Sequence, residues 1–370
     1  MQAGGAPLVV LAAGGTGGHL FPAQALAEML GRRGIVVELA TDARAESYGR
    51  FPARATHIVA SATIRSLNPL SVARTAANLA RGTVQSWRLF GRLRPSAVVG
   101  FGGYPTLPPL LAARLRGIPV VIHEQNAVMG RGNRLLAPLA DAIAVSLGGV
   151  LEGRPSLARK ATRTGNPVRP AVIAAAARPY VPPDMNGQLR LLVYGGSQGA
   201  RIMAEVVPAA LGRLDPALQG RLSVVQQARP EDVARVAETY RRARIAAEIE
   251  PFFGDLPARI AAAHLVVCRS GASTAAELAA IGRPAILVPL PHALDQDQSA
   301  NAAVLERAGG AMRLQQVDFT PARLAAEIGE LAGAPQKLAA MAAAARSQGV
   351  TDGAERLADL VLKTMSGGRR

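Results

Sequence analysis

The stretch LAAGGTGGHLFPA, Leu11 to Ala23, places a glycine-rich turn between two apolar segments. The residues that lead into it, PLVVLAA, are apolar and β-branched, which is typical of a buried strand. The residues that follow, FPAQALAEMLGRRG, have apolar positions at helical spacing and stop at a glycine. The sequence therefore predicts a strand, a glycine turn, and a helix that begins close to His19.

A second copy of this pattern, LRLLVYGGSQGAR from Leu189 to Arg201, follows 181 residues later. Each copy opens a series of short apolar runs that alternate with alanine-rich segments of helical spacing, six runs in each series. Such alternation predicts parallel, doubly wound sheets, and therefore an α/β protein with two Rossmann-like domains facing each other across a cleft. We place the domains at 1–165 and 189–345, with a proline-rich linker at 166–188 and a C-terminal helix at 346–370 that returns to the first domain.

The composition limits the class of protein. Hydrophobic residues make up 49% of the 370 residues, which is enough to bury two cores. No run approaches the ~18 apolar residues of a membrane span, and the start of the chain lacks the basic region of a signal peptide. The single cysteine, Cys268, excludes an internal disulfide. We expect a cytoplasmic protein with a reduced, buried thiol.

The positive charge is concentrated in the first half of the chain. Residues 1–165 carry 19 basic and 7 acidic side chains, whereas residues 166–370 carry 23 and 19. Between Ser47 and His123 there are ten arginines and no acid. Because only three of the 42 basic residues are lysines, the net charge of +16 reflects biased composition as readily as a nucleic-acid partner, and we predict none. The first half is instead expected to face an anionic surface.

The glycine turns have a chemical interpretation. Without Cβ atoms, backbone N–H groups approach a ligand closely, and the following helix presents its positive end there. Both turns therefore predict diphosphate sites, although a tight turn that merely joins strand to helix is the alternative. The dinucleotide fingerprint does not fit, since its third glycine would fall on Leu20, and no Gly-Lys-Ser/Thr of a Walker A motif follows.

A third turn, RSGAST, precedes a helix that carries Glu277. Gly271 to Thr274 are expected to point N–H groups and hydroxyls at an anion, and a carboxylate one turn later suits a ribose diol. The alternative for Glu277 is a favourable interaction with the helix dipole. Asp297, Gln298 and Asn301 supply groups suited to sugar hydroxyls. We do not interpret Asp295 to Asp297 (DQD) as a metal site, because no further carboxylates cluster nearby.

His19 is the ionisable residue of the first turn. The positive end of a helix favours the neutral imidazole, which is the form that acts as a base. A surface or helix-capping histidine is the alternative.

Together the motifs resemble one family. GGTGGHLFPA, GFGGYPTLPPLLAA, HEQNAVMGRGNR, TGNPVR, GGSQGAR and CRSGASTAAELAAIGRPAILVPLPHALDQDQSANA are similar, in order and spacing, to the MurG family of glycosyltransferase family 28. The resemblance implies a GT-B fold and transfer of N-acetylglucosamine, with inversion, from UDP-N-acetylglucosamine to undecaprenyl-diphospho-N-acetylmuramoyl-pentapeptide (lipid I). The product would be lipid II, the pathway peptidoglycan synthesis, and no metal or other cofactor is implied.

The resemblance also implies roles for individual residues. His19 matches the general base of the family, and Glu124 is our second candidate for that role. Ser197 matches a diphosphate contact, and Phe253, where the family commonly has an aliphatic residue, matches a backbone contact to the uracil. The substrate-binding residues implied in this way are Thr16, Gly17, Gly18, Asn126, Arg169, Ser197, Phe253, Ala272, Ser273, Thr274, Ala275, Ala276, Glu277 and Gln298. Among these, Glu277 matches the ribose contact, and Asn126 and Gln298 match contacts to the sugar.

The resemblance further implies a peripheral protein at the cytoplasmic face of the inner membrane. Its expected partners are anionic phospholipids and proteins of cell division and elongation. Two alternatives stay open: another GT-B enzyme with a lipid acceptor, such as a diacylglycerol glycosyltransferase, and a nucleotide-sugar-binding protein without activity. HEQNAVMGRGNR and GFGGYPT argue against the first, and the presence of His19, Glu277 and Gln298 argues against the second.

A candidate membrane face lies in SVARTAANLARGTVQSWRLFGRLR, Ser71 to Arg94. On a helix, an apolar stripe falls within roughly 80° of arc, and four arginines gather within roughly 40° on the opposite side. The stripe consists of Val72, Ala76, Leu79, Trp87 and Phe90, and the arginines are Arg74, Arg81, Arg88 and Arg92. The stripe packs into the core, or Trp87, Phe90 and their neighbours near the helix end stay exposed and enter the inner leaflet, and both can hold along one helix.

Overall fold

The computed structural model describes residues 6–14, 16–43, 51–62, 68–196, 199–291 and 295–367. The chain divides into two compact units. Unit 1 comprises Met1–Arg169 together with Thr351–Arg370, and unit 2 comprises Pro170–Val350. The last segment of the chain therefore belongs to the same unit as the first.

Unit 1 is built on a parallel sheet that has seven strands among the described residues. The strands are β1 (Leu8–Ala12), β2 (Val36–Thr41), β3 (Thr56–Ile58), β4 (Ala97–Gly100), β5 (Val120–Glu124), β6 (Ala142–Val145) and β7 (Ala161–Arg163). Their order across the sheet is β3-β2-β1-β4-β5-β6-β7. The order reverses direction between β1 and β4, and in sheets of this kind ligands bind beyond the carboxyl ends of the strands near that point.

Unit 2 repeats the arrangement with six parallel strands in its described part. They are β8 (Leu189–Tyr194), β9 (Leu222–Gln227), β10 (Ala246–Glu250), β11 (Leu265–Cys268), β12 (Ala285–Leu287) and β13 (Ala311–Arg313). The order is β10-β9-β8-β11-β12-β13, so that the reversal falls between β8 and β11. The prediction of two parallel Rossmann-like sheets is confirmed.

Helices flank both sheets. Those of unit 1 are α1 (Gly17–Arg32), α2 (Pro69–Leu93), α3 (Leu107–Leu115), α4 (Arg131–Leu136), α5 (Pro155–Ala158) and α15 (Gly353–Gly367). Those of unit 2 are α6 (Pro170–Ala176), α7 (Arg201–Leu211), α8 (Pro216–Gln219), α9 (Pro230–Arg242), α10 (Leu256–Ala262), α11 (Ala272–Ile281), α12 (Asp297–Arg307), α13 (Pro321–Ala332) and α14 (Pro335–Ser347).

Strand β7 was missed by the sequence pattern. Its three residues, Ala-Thr-Arg, offer no apolar run, because an edge strand with exposed side chains needs none. The other twelve strands coincide with the predicted apolar runs. Most of them are covered on both faces and are therefore almost continuously apolar, whereas the edge strands β3 and β10 have mostly exposed side chains.

The C-terminal helix α15 packs into the core of unit 1. Leu357, Ala358 and Val361 are fully buried in the same cluster as residues of β1 and α1. The helix begins at Gly353, where a Cβ atom would lie 3.1 Å from the carbonyl oxygen of Asn166 and 3.2 Å from that of Thr164. A Cβ atom there would require these carbonyls to shift by a few tenths of an ångström, so the glycine lets the helix begin close to the end of β7.

Helix α2 divides the predicted apolar stripe. Trp87 is 45% exposed, and the guanidinium carbon of Arg116 lies 3.9 Å from the centre of its ring. Phe90 is only 1% exposed and packs in the core against β4 and α3. The alternative in which Phe90 stays exposed is therefore wrong, whereas Trp87 is exposed: one turn of the helix separates a surface aromatic from a core aromatic. Among the described residues no helix is long and apolar enough to cross a bilayer.

Candidate functional site

His19 lies in the first turn of α1, directly after β1. Its Nδ1 atom is 3.0 Å from the hydroxyl oxygen of Thr16, the N-cap residue of the helix. When Nδ1–H donates to that hydroxyl, the lone pair of the imidazole is on Nε2. This tautomer is the one that accepts a proton from a substrate at Nε2.

Three glycines surround the ring of His19. A Cβ atom on Gly14 would lie 3.2 Å from Nδ1, one on Gly102 would lie 3.4 Å from Nε2, and one on Gly103 would lie 3.4 Å from Cε1. Gly102 and Gly103 also have φ angles of +85° and +80°, which side chains rarely adopt. The motif GFGGY after β4 therefore closes against the imidazole because it carries no side chains there.

Glu124, at the end of β5, organises the loop that follows it. Its Oε1 accepts hydrogen bonds from the backbone N–H and the side-chain amide of Asn126, at 3.0 and 3.3 Å. Its Oε2 accepts from the N–H of Gly130 and from Nδ2 of Asn133, both at 2.9 Å. Burial raises the pKa of Glu124, and these hydrogen bonds oppose that shift. Because the residue is 1% exposed and both oxygens are occupied, its geometry suits positioning the loop better than removing a proton from a substrate.

Asn133 lies between this cluster and the glycine turn that contacts His19. Its Nδ2 also donates to the carbonyl oxygen of His123, at 3.1 Å, and would lie 3.5 Å from a Cβ atom on Gly102. The sequence motif contained Asn133 within HEQNAVMGRGNR, but no spacing rule singled it out. Its position becomes evident only when β4 and β5 lie side by side, as they do in the sheet.

His123 is a buried structural residue rather than a second base. Its Nε2–H donates to the carbonyl oxygen of Gly165 at 3.1 Å, and Nδ1 accepts from the amide of Gln125 at 2.9 Å. Burial lowers the pKa of His123 to about 4, although the bond to Gly165 opposes this. The side chain therefore stays neutral at physiological pH.

The other predicted residues of unit 1 lie near these elements. Thr16, Gly17 and Gly18 form the start of α1. The guanidinium carbon of Arg169 is 4.3 Å from the centre of the Phe21 ring on the same helix. The carboxyl ends of β1, β4 and β5 and the start of α1 thus hold one polar cluster around His19.

In unit 2 the glycine turn after β8 closes tightly on itself. A Cβ atom on Gly195 would lie 2.2 Å from the backbone nitrogen of Ala200, so no side chain fits there. The N–H of Gly195 donates to Oε1 of Gln227 at 3.0 Å, and Nε2 of Gln227 donates to the carbonyl oxygen of Pro251 at 3.1 Å. The turn is therefore tied to the segment after β10. Ser197, predicted to contact the diphosphate, lies outside the described residues.

The segment after β10 contains two phenylalanines with opposite environments. Phe253 is 7% exposed, with the guanidinium carbon of Arg259 4.3 Å from its ring centre, whereas Phe252 is 68% exposed. The predicted contact of Phe253 with a base is a backbone contact, which a buried side chain permits. Phe252 was not singled out in the sequence.

The start of α11 presents the predicted anion-binding groups. Gly271 is the N-cap, and Ser273 and Thr274 lie in the first turn. The hydroxyl oxygen of Ser273 is buried and makes no hydrogen bond to any residue in the described part of the chain. Glu277 follows one turn later and is 6% exposed. Ala272, Ala275 and Ala276 complete the predicted contacts on this helix.

Beneath α11 lies Tyr194, the last residue of β8. It is 2% exposed, and burial raises the pKa of its hydroxyl well above the ordinary value, with smaller contributions from Cys268 and Glu277 nearby. Burial likewise raises the pKa of the Cys268 thiol to about 12. Both groups are therefore neutral, and the predicted burial of Cys268 is confirmed.

Gln298 is joined to the start of α11. Its carbonyl oxygen accepts from the hydroxyl of Ser270 at 2.8 Å, and its Oε1 accepts from the N–H of Leu290 at 3.0 Å. Arg269 donates to the carbonyl oxygens of Val288 and Pro289, at 3.1 and 2.9 Å. The ends of β11 and β12 are thus held together with the first turn of α12. Within the described residues no group of three or more potential metal ligands is found.

Comparisons with known proteins cover nearly the whole chain. The glycosyltransferase family 28 N-terminal domain matches residues 9–145, and the C-terminal domain of the same family matches residues 190–357. The structure is similar to the crystal structure of MurG from Acinetobacter baumannii, with a TM-score of 0.78 and 31% identity, covering 97% of this chain and 100% of that one.

Two curated relatives come from Rhodopseudomonas palustris strains BisB18 and BisA53. Each is 61% identical over 359 residues, covering 97% of this chain and 96% of the relative. Both are named UDP-N-acetylglucosamine–N-acetylmuramyl-(pentapeptide) pyrophosphoryl-undecaprenol N-acetylglucosamine transferase.

Proposed function

This chain belongs to glycosyltransferase family 28, and from that premise we propose that it transfers N-acetylglucosamine from UDP-N-acetylglucosamine to lipid I, forming lipid II for peptidoglycan. The observation that carries this proposal is the 61% identity, over 97% of the chain, to relatives named for that reaction. The aligned region spans both units, so that it includes the residues around His19 and those around α11.

The donor is assigned to unit 2. The first turn of α11 offers backbone N–H groups and the hydroxyls of Ser273 and Thr274, which suit the diphosphate of a nucleotide sugar. Glu277, one turn later, would accept hydrogen bonds from a ribose diol, and Gln298 lies beside the same turn. Phe253 would contribute its backbone to the base. These hydrogen-bond donors support a reaction that needs no divalent cation, because helix ends neutralise part of the diphosphate charge.

The reaction proposed is a direct displacement at C1 of the sugar. The acceptor hydroxyl oxygen attacks C1, the bond from C1 to the diphosphate oxygen breaks, and UDP leaves with the electron pair. Nε2 of His19 takes the hydroxyl proton, while Thr16 holds the opposite ring nitrogen. One displacement inverts an α-linked sugar to a β-linkage. The N-terminus of α11 stabilises the charge that develops on the departing diphosphate.

The acceptor is lipid-linked, so we assign a membrane-facing surface to unit 1. Trp87 and Val84 on α2 and Leu115 at the end of α3 are 45%, 49% and 72% exposed. Arg81, Arg88 and Arg92 of α2 are exposed as well, and their charge suits anionic head groups at about 1 kcal/mol each. We place the protein at the cytoplasmic face of the inner membrane, bound peripherally, where proteins of cell division and elongation would be its partners.

The test of the proposed function is a transfer assay with purified protein, UDP-N-acetylglucosamine and a short-chain lipid I analogue. We expect a β-linked disaccharide product, undiminished by EDTA, and a kcat/KM more than about tenfold above that with UDP-glucose, because a sugar site left with unpaired polar groups is penalised. Comparable rates with UDP-glucose and diacylglycerol would instead indicate a glycolipid synthase. UDP binding without turnover of either acceptor would indicate a binding protein.

A further inference from the structure

Arg283 is the largest fully buried side chain among the described residues. It follows Gly282, the left-handed residue that ends α11. Its guanidinium donates only to backbone carbonyl oxygens within the described part of the chain, and it forms no ion pair there. The acceptors are the carbonyls of Ala261 at 2.6 Å, Ile281 at 2.9 Å, Gly282 at 3.0 Å, Arg178 at 3.2 Å and Pro179 at 3.3 Å.

These carbonyls lie at or just beyond the C-terminal ends of α6, α10 and α11. The C-terminus of a helix carries partial negative charge, so the helix ends supply the counter-charge that a carboxylate would otherwise provide. Burial lowers the pKa of Arg283 to about 10, which leaves the guanidinium charged at neutral pH. The charge and the donors are therefore both used to join these helix ends.

Arg346 of α14 reinforces the same junction. Its Nη1 donates to the carbonyl oxygen of Ala176 at 2.9 Å and to that of Ala280 near the end of α11. Its Cβ atom would lie 2.9 Å from a Cβ atom on Gly282, so α14 packs closely against this end of α11. The carboxyl end of α11 is thus fixed by two arginines, whereas its other end carries the proposed donor contacts.

We propose that Arg283 is a positioning residue for donor binding, fixing the direction of α11 so that Ser273, Thr274 and Glu277 at the opposite end meet the diphosphate and ribose. Helix α11 has ten residues, and a tilt at one end of so short a rod displaces the other. An apolar side chain of similar size would fill the same space without the penalty of burying a charge. What the planar guanidinium adds is a rigid set of donors that fixes the geometry among three helices.

This inference rests on the proposed function, since it assumes that the donor binds at the start of α11. The test compares Arg283→Met, which keeps the bulk and removes the donors, with Arg283→Lys, which keeps the charge. We expect Arg283→Met to raise the KM for UDP-N-acetylglucosamine and the Kd for UDP by about tenfold or more, because small misplacements of binding groups have large effects. The kcat should fall as well, since the same turn is proposed to stabilise the departing diphosphate, whereas the KM for the lipid I analogue should stay close to wild type. Arg283→Lys should fall between the wild type and Arg283→Met.

The matched control is Arg221→Met. Arg221 also donates to backbone carbonyls of unit 2, those of Gly187 at 2.7 Å and Asp184 at 3.1 Å, but neither belongs to α11. We expect this variant to lower the Tm without changing the KM for the donor. If Arg283→Met lowers only the Tm or the active fraction, as the control does, Arg283 is merely structural and the inference is overturned.

Two further outcomes are decided by direct measurement of UDP binding by calorimetry. If Arg283→Met does not fold, Arg283→Lys and Arg346→Met carry the test, and unchanged UDP affinity in both would overturn the inference. If the wild-type protein itself does not bind UDP, the proposed donor site fails, whatever the variants do.

Discussion

The glycine turns after β1 and after β8 both join a strand to a helix, but they differ in the residue at the start of that helix. With the offset of 181 residues, the position of His19 in unit 1 corresponds to Ala200 in unit 2. In unit 1 the imidazole of His19 is surrounded by Gly14 of the first turn and by Gly102 and Gly103 of the turn after β4. The turn after β8 is instead so tight that a Cβ atom on Gly195 would lie 2.2 Å from the backbone nitrogen of Ala200. A repeated strand–turn–helix can therefore be specialised at one position: one copy presents a titratable ring, and the other presents backbone.

The largest expected effect comes from making the two turns alike. His19→Ala gives the first turn the residue that the second already has. If His19 is the base, kcat should fall by ~10²–10⁴, about 3–5 kcal/mol, because proton removal in the transition state is lost. Steady-state assays with UDP-N-acetylglucosamine and a lipid I analogue measure this, and UDP affinity by calorimetry should be unchanged. A variant that keeps most of its kcat would show that His19 is not the base.

The next effect tests a feature that the two units share. Unit 1 contains His123 and unit 2 contains His264, and the pKa of each is lowered to about 4, by burial and, for His264, also by the nearby charges of Arg190 and Arg283. The unfolded chain takes up protons at the ordinary value of 6.5, so it binds more protons than the folded chain between these values. The free energy of unfolding should therefore be highest above about pH 6.5 and should decrease as the pH drops towards about 4. For His123 this decrease is on the order of 3 kcal/mol.

The two units can be followed separately in that experiment. Trp87 is the only tryptophan of the chain, so its fluorescence reports unit 1, while calorimetry reports both units. His123→Gln should flatten the pH dependence of the fluorescence transition, and His264→Gln should act on the calorimetric transition of unit 2. Stability that is constant from about pH 7 to about pH 4.5 would contradict the assigned protonation states.

A smaller effect tests whether the glycines around His19 matter for catalysis. Gly103→Ala places a methyl group 3.4 Å from the imidazole at a φ of +80°, and the conformational penalty is about 1–2 kcal/mol. We expect the loop to shift and kcat to fall roughly tenfold. Gly31→Ala on the exposed side of α1 meets no atom within 4 Å and is the control. Equal activity of the two variants would mean that the contact with His19 is incidental.

The smallest effect separates the surfaces of the two units. Trp87→Ala combined with Val84→Ser should weaken binding to phosphatidylglycerol vesicles several-fold, and binding of the wild type should decrease with salt, since each contact contributes ~1 kcal/mol. Val317→Ser in unit 2 changes a side chain that is 84% exposed and should have no effect. Co-sedimentation measures all three proteins. Wild type that ignores such vesicles at low salt would place the membrane surface elsewhere.

Most of the fold could be predicted because parallel strands covered on both faces consist of consecutive apolar residues. Strand β7 could not, since its edge position removes the need for such a run. Phe90 and Trp87 share a stripe in the sequence, and only the packing of α3 against α2 decides which of them is covered. The glycines and Thr16 around His19 could be identified from the sequence motifs. Asn133 and Arg283 could not be given a role, because their partners come from other elements of the fold.

The return of α15 to unit 1 has a consequence for the order in which the protein is made. Unit 2 is one uninterrupted segment, Pro170–Val350, inserted between the two parts of unit 1. During synthesis the ribosome therefore releases all of unit 2 before Leu357 and Val361 emerge to complete the buried core of unit 1. Domains tend to fold as their chains become available. The unit that holds His19 is then the last to become native, so a nascent chain folds the unit proposed to bind the donor before the unit that holds the proposed base.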